Sequence, residues 1–454
     1  MSEVSLPDAL PGETGTAAEW ATWGRTHAVT PRHVLRPSSV AELAEGVAAA
    51  ARRGLGVRAV GSGCSFSALP LAPEVMVELT GLTGLTAVDV DEHRATVLAG
   101  TTIRALNKGL DAHGLAVTNL PDSDWQTIAG AVSTGTHGTG LAFGSLSAQV
   151  VSLTLVTARG ELVECSAEQR PELFQAARAG LGALGILASV TLACEPAFRL
   201  HAAEIREPLG QLVDTVGSRM AGSDHFEFYW MPGTATAQTR ILTRLHKLPD
   251  SYTRPGSPVA RTVRRIDDVL LRNTLTAGLN QLATALPRST PGLNRVDALT
   301  NSPRQYSDLS FRVFTVPRRV RFVSTEYALP VEELGVAFRE LQTLVERRGY
   351  AFSLPVDVRC SAAEDAWLAP AHGRDTAWIA LRQYWRRYDP KVFAAAEEIF
   401  VDHGGRPHWG TVHTRDAAYL HAVYPRFQDF LDARAAVDPD GVFLNDHVRE
   451  LLGL

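Results

Sequence analysis

Apolar and polar positions keep one rhythm in the first half of the chain and another in the second. Up to about residue 195, short apolar runs of strand length alternate with stretches of helical period. Ser39 with Glu42 reads as a capping box, the alanine-rich run to Arg53 continues as helix, and Gly54 stops it. Val57 to Val60 reads as a strand entering a glycine-rich turn, and Val75 to Leu79 as another strand. Ala87 to Asp91 and Ala95 to Ala99 are predicted to pair as a hairpin around Asp91-Glu92, followed by a helix from Thr102 to His113. A second hairpin joins Val150 to Thr157 with Glu161 to Cys165 around Arg159-Gly160. Pro171 to Ala179 reads as a helix with proline in its first turn, and Ile186 to Cys194 as an apolar strand.

Beyond Pro196 the texture changes. Phe226 to Trp230 alternates and reads as strand, with Gln238 to Leu245 as a partner, whereas 250–310 reads as irregular or helical. From Val320 the chain predicts a strand to Ala328, a helix from Val331 to Arg348, and strands at Val356 to Arg359 and Ala377 to Tyr384. Helices follow at Lys391 to His403 and Phe427 to Ala436, an α+β pattern with antiparallel strands. A length of 454 residues allows two or three domains. A formal charge of −5 gives no reason to expect nucleic acid, and the basic clusters at Arg261, Arg264, Arg265 and at Arg318, Arg319, Arg321 read as solvated faces. Four scattered cysteines argue against a zinc site or disulfide framework, so no metal is expected. Met1 to Thr16 lacks the apolar core of a secretory signal, and no apolar run reaches the roughly 18 residues of a membrane helix. A cytoplasmic protein without membrane contact is the expectation.

Candidate chemistry concentrates in two stretches. Gln126 to Gly140 is a run of glycine, threonine and small apolar residues with one histidine and no other ionisable side chain, and reads as a loop. Val60 to Ser67 is a second such turn. Backbone with so little side chain can approach a phosphate or flat heterocycle closely and offer it N–H and hydroxyl donors. Either turn alone fits a flexible loop; two in one domain suggest a cofactor held along its length.

These stretches, with later landmarks in order, resemble the FAD-dependent sugar-alcohol and aldonolactone oxidoreductases of the vanillyl-alcohol-oxidase superfamily. The landmarks are Thr127 to Gly140, Leu181 to Ile186, Phe226 to Trp230, Glu326-Tyr327, Asp357-Val-Arg359, His408-Trp-Gly410 and Asp438 to Asn445. The resemblance implies an α+β fold: a two-subdomain FAD-binding domain over 15–195, a substrate or cap domain over 196–416, and a segment 417–454 packing back near the first. It places FAD against Gly61, Ser62, Gly63, Cys64, Ser65 and Ser67, and against Thr127, Val132, Ser133, Gly135, Thr136, His137, Gly138, Thr139 and Ile186. His137 is read there as a cofactor contact without a catalytic role.

The chain also departs from the family. Cys64 stands where many members carry a histidine bonded covalently to flavin, so non-covalent FAD is expected, a thioether being the alternative. Asp357 replaces the usual glutamate before Arg359, Arg382 replaces a histidine, and Thr411 replaces a lysine. Arg359 is expected to stabilise developing negative charge, with Asp357, Arg382 and Thr411 shaping the pocket. Arg382 either clamps a substrate anion or sits in an ion pair, and Asp357 either faces substrate or orients Arg359. The expected activity is hydride transfer from a hydroxyl-bearing carbon of an alditol or aldonolactone to flavin, with O2 or another acceptor. Oxidation of a sugar or nucleoside moiety in specialised metabolism, and flavin binding without redox turnover, are the alternatives.

Overall fold

The computed structural model describes residues 9–13, 18–247, 303–316, 320–350 and 352–454, with isolated positions between 278 and 295. The basic clusters at Arg261, Arg264 and Arg265 and at Arg318 and Arg319 lie outside the described residues, as does most of 250–302.

Three larger sheets organise the chain. His33–Leu35, Val75–Glu78 and Val57–Val60 form a parallel sheet with Val75–Glu78 in the middle. The helix Val40–Arg52 buries Leu43, Val47 and Ala50 against the core. Ser39 caps it by accepting the Glu42 N–H at 3.1 Å, but the Glu42 carboxylate takes the N–H and hydroxyl of Ser38, one residue earlier than a reciprocal box requires. Both predicted hairpins form, and they join through Ile186–Ala193 in a five-stranded antiparallel sheet. These two sheets share one apolar core with the C-terminal helices through residues such as Val57, Val97, Leu153, Val190, Phe443 and Val448.

The third sheet has eight antiparallel strands in the order Arg304–Leu309, Arg199–Pro208, Thr236–Arg244, His225–Trp230, Val356–Ser361, Thr376–Tyr384, Phe322–Pro330, Arg406–Pro407. Arg304–Leu309 corrects the irregular or helical reading of that stretch: it is a polar edge strand held by pairing with Arg199–Pro208. Alternation along the central strands decides what each face carries. Phe226, Phe228, Trp230, Val356, Val358, Ile379 and Leu381 join a core with three helices, Leu209–Ala221, Leu334–Arg348 and Pro390–Asp402. The positions between them, Glu227, Asp357, Arg359, Arg382, Ser324 and Glu326, carry the polar groups on the other face.

The stretch read as a loop from Gln126 begins instead as a short helix, Ile128–Ser133, capped by the Thr127 hydroxyl, which accepts the Gly130 N–H at 3.4 Å. Ile128, Ala131 and Val132 are buried on its core side, which is why a glycine-rich segment holds a helical turn. The chain then runs to Gly140, whose N–H donates to the Cys360 carbonyl of the large sheet. From the far end of the chain, Asn445 donates to the carbonyls of Ala68, Leu69 and Leu71, and Arg58 donates to that of Phe443. Among the described residues, no helix is long and apolar enough to cross a membrane.

Candidate active site

A cavity opens between the two glycine-rich segments and the polar face of the eight-stranded sheet. Gly61, Ser62, Gly63, Cys64 and Ser65 line it from one side, Thr127, Ser133, Thr136, His137 and Ile186 from another, Arg359 and Arg382 from the sheet, and Thr411 from the turn that follows Arg406–Pro407. Ser67, Val132, Gly135, Gly138, Thr139 and Asp357 do not line it. Val132 is wholly buried, Ser67 donates to the Trp409 carbonyl, and Thr139 donates to the Phe226 carbonyl. These residues brace the wall from behind.

At the glycine-lined end the backbone is the surface. A Cβ on Gly61 would collide with the Thr127 hydroxyl, so glycine lets the two segments touch. Gly63 sits at φ +67°, a conformation that favours glycine. The N–H groups of Ser62, Gly63, Cys64 and Ser65 find no backbone acceptor among the described residues. A cradle of free donors without carboxylates fits the diphosphate of FAD, and the structure agrees with the cofactor expected there. Burial pushes the Cys64 thiol above its ordinary range.

The sheet end is built from charge. One Arg359 nitrogen, Nη2, lies 2.8 Å from Asp122 and 2.9 Å from Asp357, while Nε lies 3.1 Å from Glu227. Arg382 binds the same Asp357 oxygen at 2.8 Å. Glu227 passes the pairing on to Arg240 at 2.7 Å. Burial raises the Asp357 carboxyl despite its two arginines; burial works against Arg359, but Asp357, Asp122 and Glu227 hold its guanidinium firmly charged. Asp357 therefore pairs with both arginines, and Arg382 is in an ion pair on the cavity side of the sheet. Nε and Nη1 of Arg382 are buried with no acceptor among the described residues, a need that the oxygen of a bound molecule can meet. Thr411 donates to the His408 carbonyl at 2.9 Å and accepts the Glu326 N–H at 3.2 Å, which leaves little of its hydroxyl for a ligand.

Asp122, Glu326 and His408 also line the cavity and were not singled out as site residues from the sequence. Glu326 and His408 stood within the quoted landmarks, and the alternation Ser324, Glu326, Ala328 was the signal that could have placed Glu326 on the polar face. His137 stacks on Trp378 with ring centroids 3.6 Å apart, and its Nε2 lies 3.5 Å from Glu326. His137, Glu326 and His408 present ligand atoms within 4.8 Å of one another, a spacing that could hold a metal ion. The Gly410 N–H, however, donates to His408 Nδ1 at 3.1 Å. A metal on Nε2 would force a proton onto Nδ1, against that N–H, so a hydrogen-bonded proton network suits these residues better.

The family model described as D-arabinono-1,4-lactone oxidase matches residues 190–451, and that described as FAD binding domain matches 31–166. The chain is 39% identical to an L-gulono-1,4-lactone dehydrogenase of Mycobacterium tuberculosis, over 96% of this chain and 99% of the relative. It is 32% identical to the L-gulonolactone oxidase of Bos taurus and 31% to an alditol oxidase of a Streptomyces species, each over 95% of this chain and 98% of the relative. Among solved structures, a solvent-stable cholesterol oxidase superposes with a TM-score of 0.81 at 21% identity, covering 99% of this chain and 100% of the other. The cholesterol oxidase of B. sterolicum gives 0.78 at 17%, covering 99% of both chains. The fold is thus of the vanillyl-alcohol-oxidase type, mixed helix and sheet.

Proposed function

The chain belongs to the D-arabinono-1,4-lactone oxidase family, and from that premise we propose that it oxidises a hydroxyl-bearing carbon of a neutral aldonolactone or alditol. It is an FAD-dependent oxidoreductase. Bound FAD supplies the chemistry of accepting a hydride, and the Gly61–Ser65 and Thr127–His137 segments are the residues that would hold it. Residues 15–195 are assigned to the cofactor, 196–416 to the substrate, and 417–454 to packing against the first strands. With the Cys64 thiol protonated, the cofactor is held without a covalent bond.

The observation that carries the substrate class is the paired state of the arginines. Arg359 and Arg382 are already matched by Asp122, Asp357 and Glu227, so the cavity has little net charge to offer an anion. Free guanidinium N–H groups remain, and these suit hydroxyl and ring oxygens. Arg359 is assigned the stabilisation of the alkoxide that develops as the hydroxyl is oxidised. Arg382 is assigned donation to a second substrate oxygen, Asp357 the orientation of both, and Thr411 a minor place in the wall. The relatives favour neither a nucleoside substrate nor a flavin binder without turnover.

Dioxygen is assigned as the acceptor on the strength of the relatives named oxidases, with hydrogen peroxide as product; the M. tuberculosis relative is named a dehydrogenase. The test is anaerobic titration of the purified yellow protein with L-gulonolactone, D-arabinonolactone and xylitol, then with an aldonate. Bleaching of the flavin band by the neutral compounds alone is expected, and bleaching by the aldonate alone would overturn the substrate class. Peroxide assay in air against a dye acceptor decides the oxidant.

A further inference from the structure

Arg359 has to meet the reacting hydroxyl oxygen as that oxygen gains charge, so the direction of its planar guanidinium matters as much as its charge. Asp122 and Asp357 both take Nη2, at 2.8 and 2.9 Å. A planar group held at one corner can still pivot about it. The second corner, Nε, lies 3.1 Å from Glu227, and Nη1 makes no hydrogen bond among the described residues. Arg359 lines the cavity and Glu227 does not.

Glu227 is itself held from behind. Residues of opposite charge stand in register across the large sheet: Arg304 opposite Glu204, Glu204 opposite Arg240, and Arg240 opposite Glu227. One step beyond the Phe228–Val358 pair, Glu227 comes opposite Arg359. Arg240 Nη1 donates to Glu227 Oε1 at 2.7 Å, which leaves Oε2 for Arg359. Arg240 also donates to the Val313 carbonyl, whereas Glu204 lies 3.8 Å from it. Burial would raise the Glu227 carboxyl, but Arg359 and Arg240 bring it below its ordinary value, so it stays charged near neutral pH. Buried and paired on both sides, this carboxylate cannot follow a guanidinium that turns. We propose that Glu227 is the positioning residue for Arg359: by fixing Nε it stops the pivot that Asp122 and Asp357 allow, and so directs Nη1 at the substrate oxygen. This rests on the oxidase reading given above. No bond forms or breaks at Glu227, and its loss is felt only through Arg359.

The test uses the FAD-loaded protein in anaerobic stopped-flow with L-gulonolactone. Glu227→Gln keeps the size of the side chain but not its charge, and a misplaced guanidinium should slow limiting flavin reduction on the order of 10²-fold with far less change in KM. In the Arg359→Gln background the same substitution should slow nothing further, because its effect passes through Arg359. Glu204→Gln breaks the row of charges two strands away, and should lower thermal stability while leaving reduction near the wild-type rate. Wild-type reduction in E227Q, an equal further loss on top of R359Q, or a slowing by E204Q as large as that by E227Q would overturn the proposal. Should E227Q lose its FAD, the charge-balanced E227Q/R240Q takes its place in the same comparison. Crystal structures supply a measurement without substrate: the Arg359 guanidinium should be displaced in E227Q and unmoved in E204Q. A guanidinium unmoved in E227Q also overturns the proposal. If no lactone or alditol bleaches the wild-type flavin, the oxidase reading has failed, while the two crystal structures still decide whether Glu227 holds Arg359.

Discussion

The two ends of the cavity solve the same problem, holding a polar molecule inside a protein, with opposite materials. At the glycine-lined end the chain removes side chains and lets backbone N–H groups serve, so charge is absent and geometry is set by contacts such as Gly61 on Thr127. At the sheet end it buries full charges and cancels them, with Arg359 touching Asp122, Asp357 and Glu227 at once. Buried ion pairs add little net stability, because desolvation offsets their attraction, but breaking one leaves an uncompensated charge. The first end tolerates no added volume. The second tolerates no removed charge.

The largest expected effect lies at the charged end. Arg359→Gln should lower kcat on the order of 10²–10³-fold with FAD content unchanged. Arg359→Lys keeps the charge but not the fork, and should recover part of that rate; equal rates for the two would mean that the geometry is unimportant. Next is Gly61→Val, whose Cβ has no room beside Thr127. Overpacking of about 1–3 kcal/mol predicts FAD binding weaker by roughly ten- to a hundredfold, read from the absorbance ratio after gel filtration. Arg382→Met removes the unpartnered donors, and a lost hydrogen bond of about 1.5 kcal/mol implies a KM rise of roughly tenfold with a smaller change in kcat.

A smaller effect tests the wall behind His137. Burial raises the Glu364 carboxyl to about 7, although Ser145 donates to it at 2.7 Å. Its folded-state value lies above the ordinary 4.5, so the fold favours the protonated form: that contribution is whole below about pH 4.5 and is lost as pH rises through 7. Glu364→Gln should therefore match wild type in acid and exceed it in thermal stability above pH 8, on the order of 3 kcal/mol. The smallest effect is Cys64→Ala. Acid precipitation should release the yellow colour from wild type and variant alike; colour retained in the wild-type pellet would put a covalent bond at that thiol.

What the sequence disclosed follows from how far apart the partners lie. Each glycine-rich segment is visible within a window of fifteen residues, and Asp357 and Arg359 share one strand. The network around them joins strands remote in sequence: Tyr229 pairs with Asp357 and Arg359 with Trp378, a register no local pattern contains. Asp122 and Glu227 therefore stayed out of the expected site. The helix Leu209–Ala221 was also missed, since Gly210 and Gly217 weaken its propensity while Leu212, Val216 and Met220 still pack on the sheet. Thr411 lines the cavity as expected for a position where a lysine usually stands, but its short hydroxyl is occupied by its own neighbours.

The bond from Arg58 to the Phe443 carbonyl spans 385 positions. During synthesis on the ribosome, the strand leading into the first glycine turn emerges long before the segment that clamps it from behind. That turn consequently gains its final support only after almost every other element has been made. Loop-closure entropy of this kind slows folding, and it makes pulses of translation arrest a direct probe of when the nascent enzyme first retains its prosthetic group.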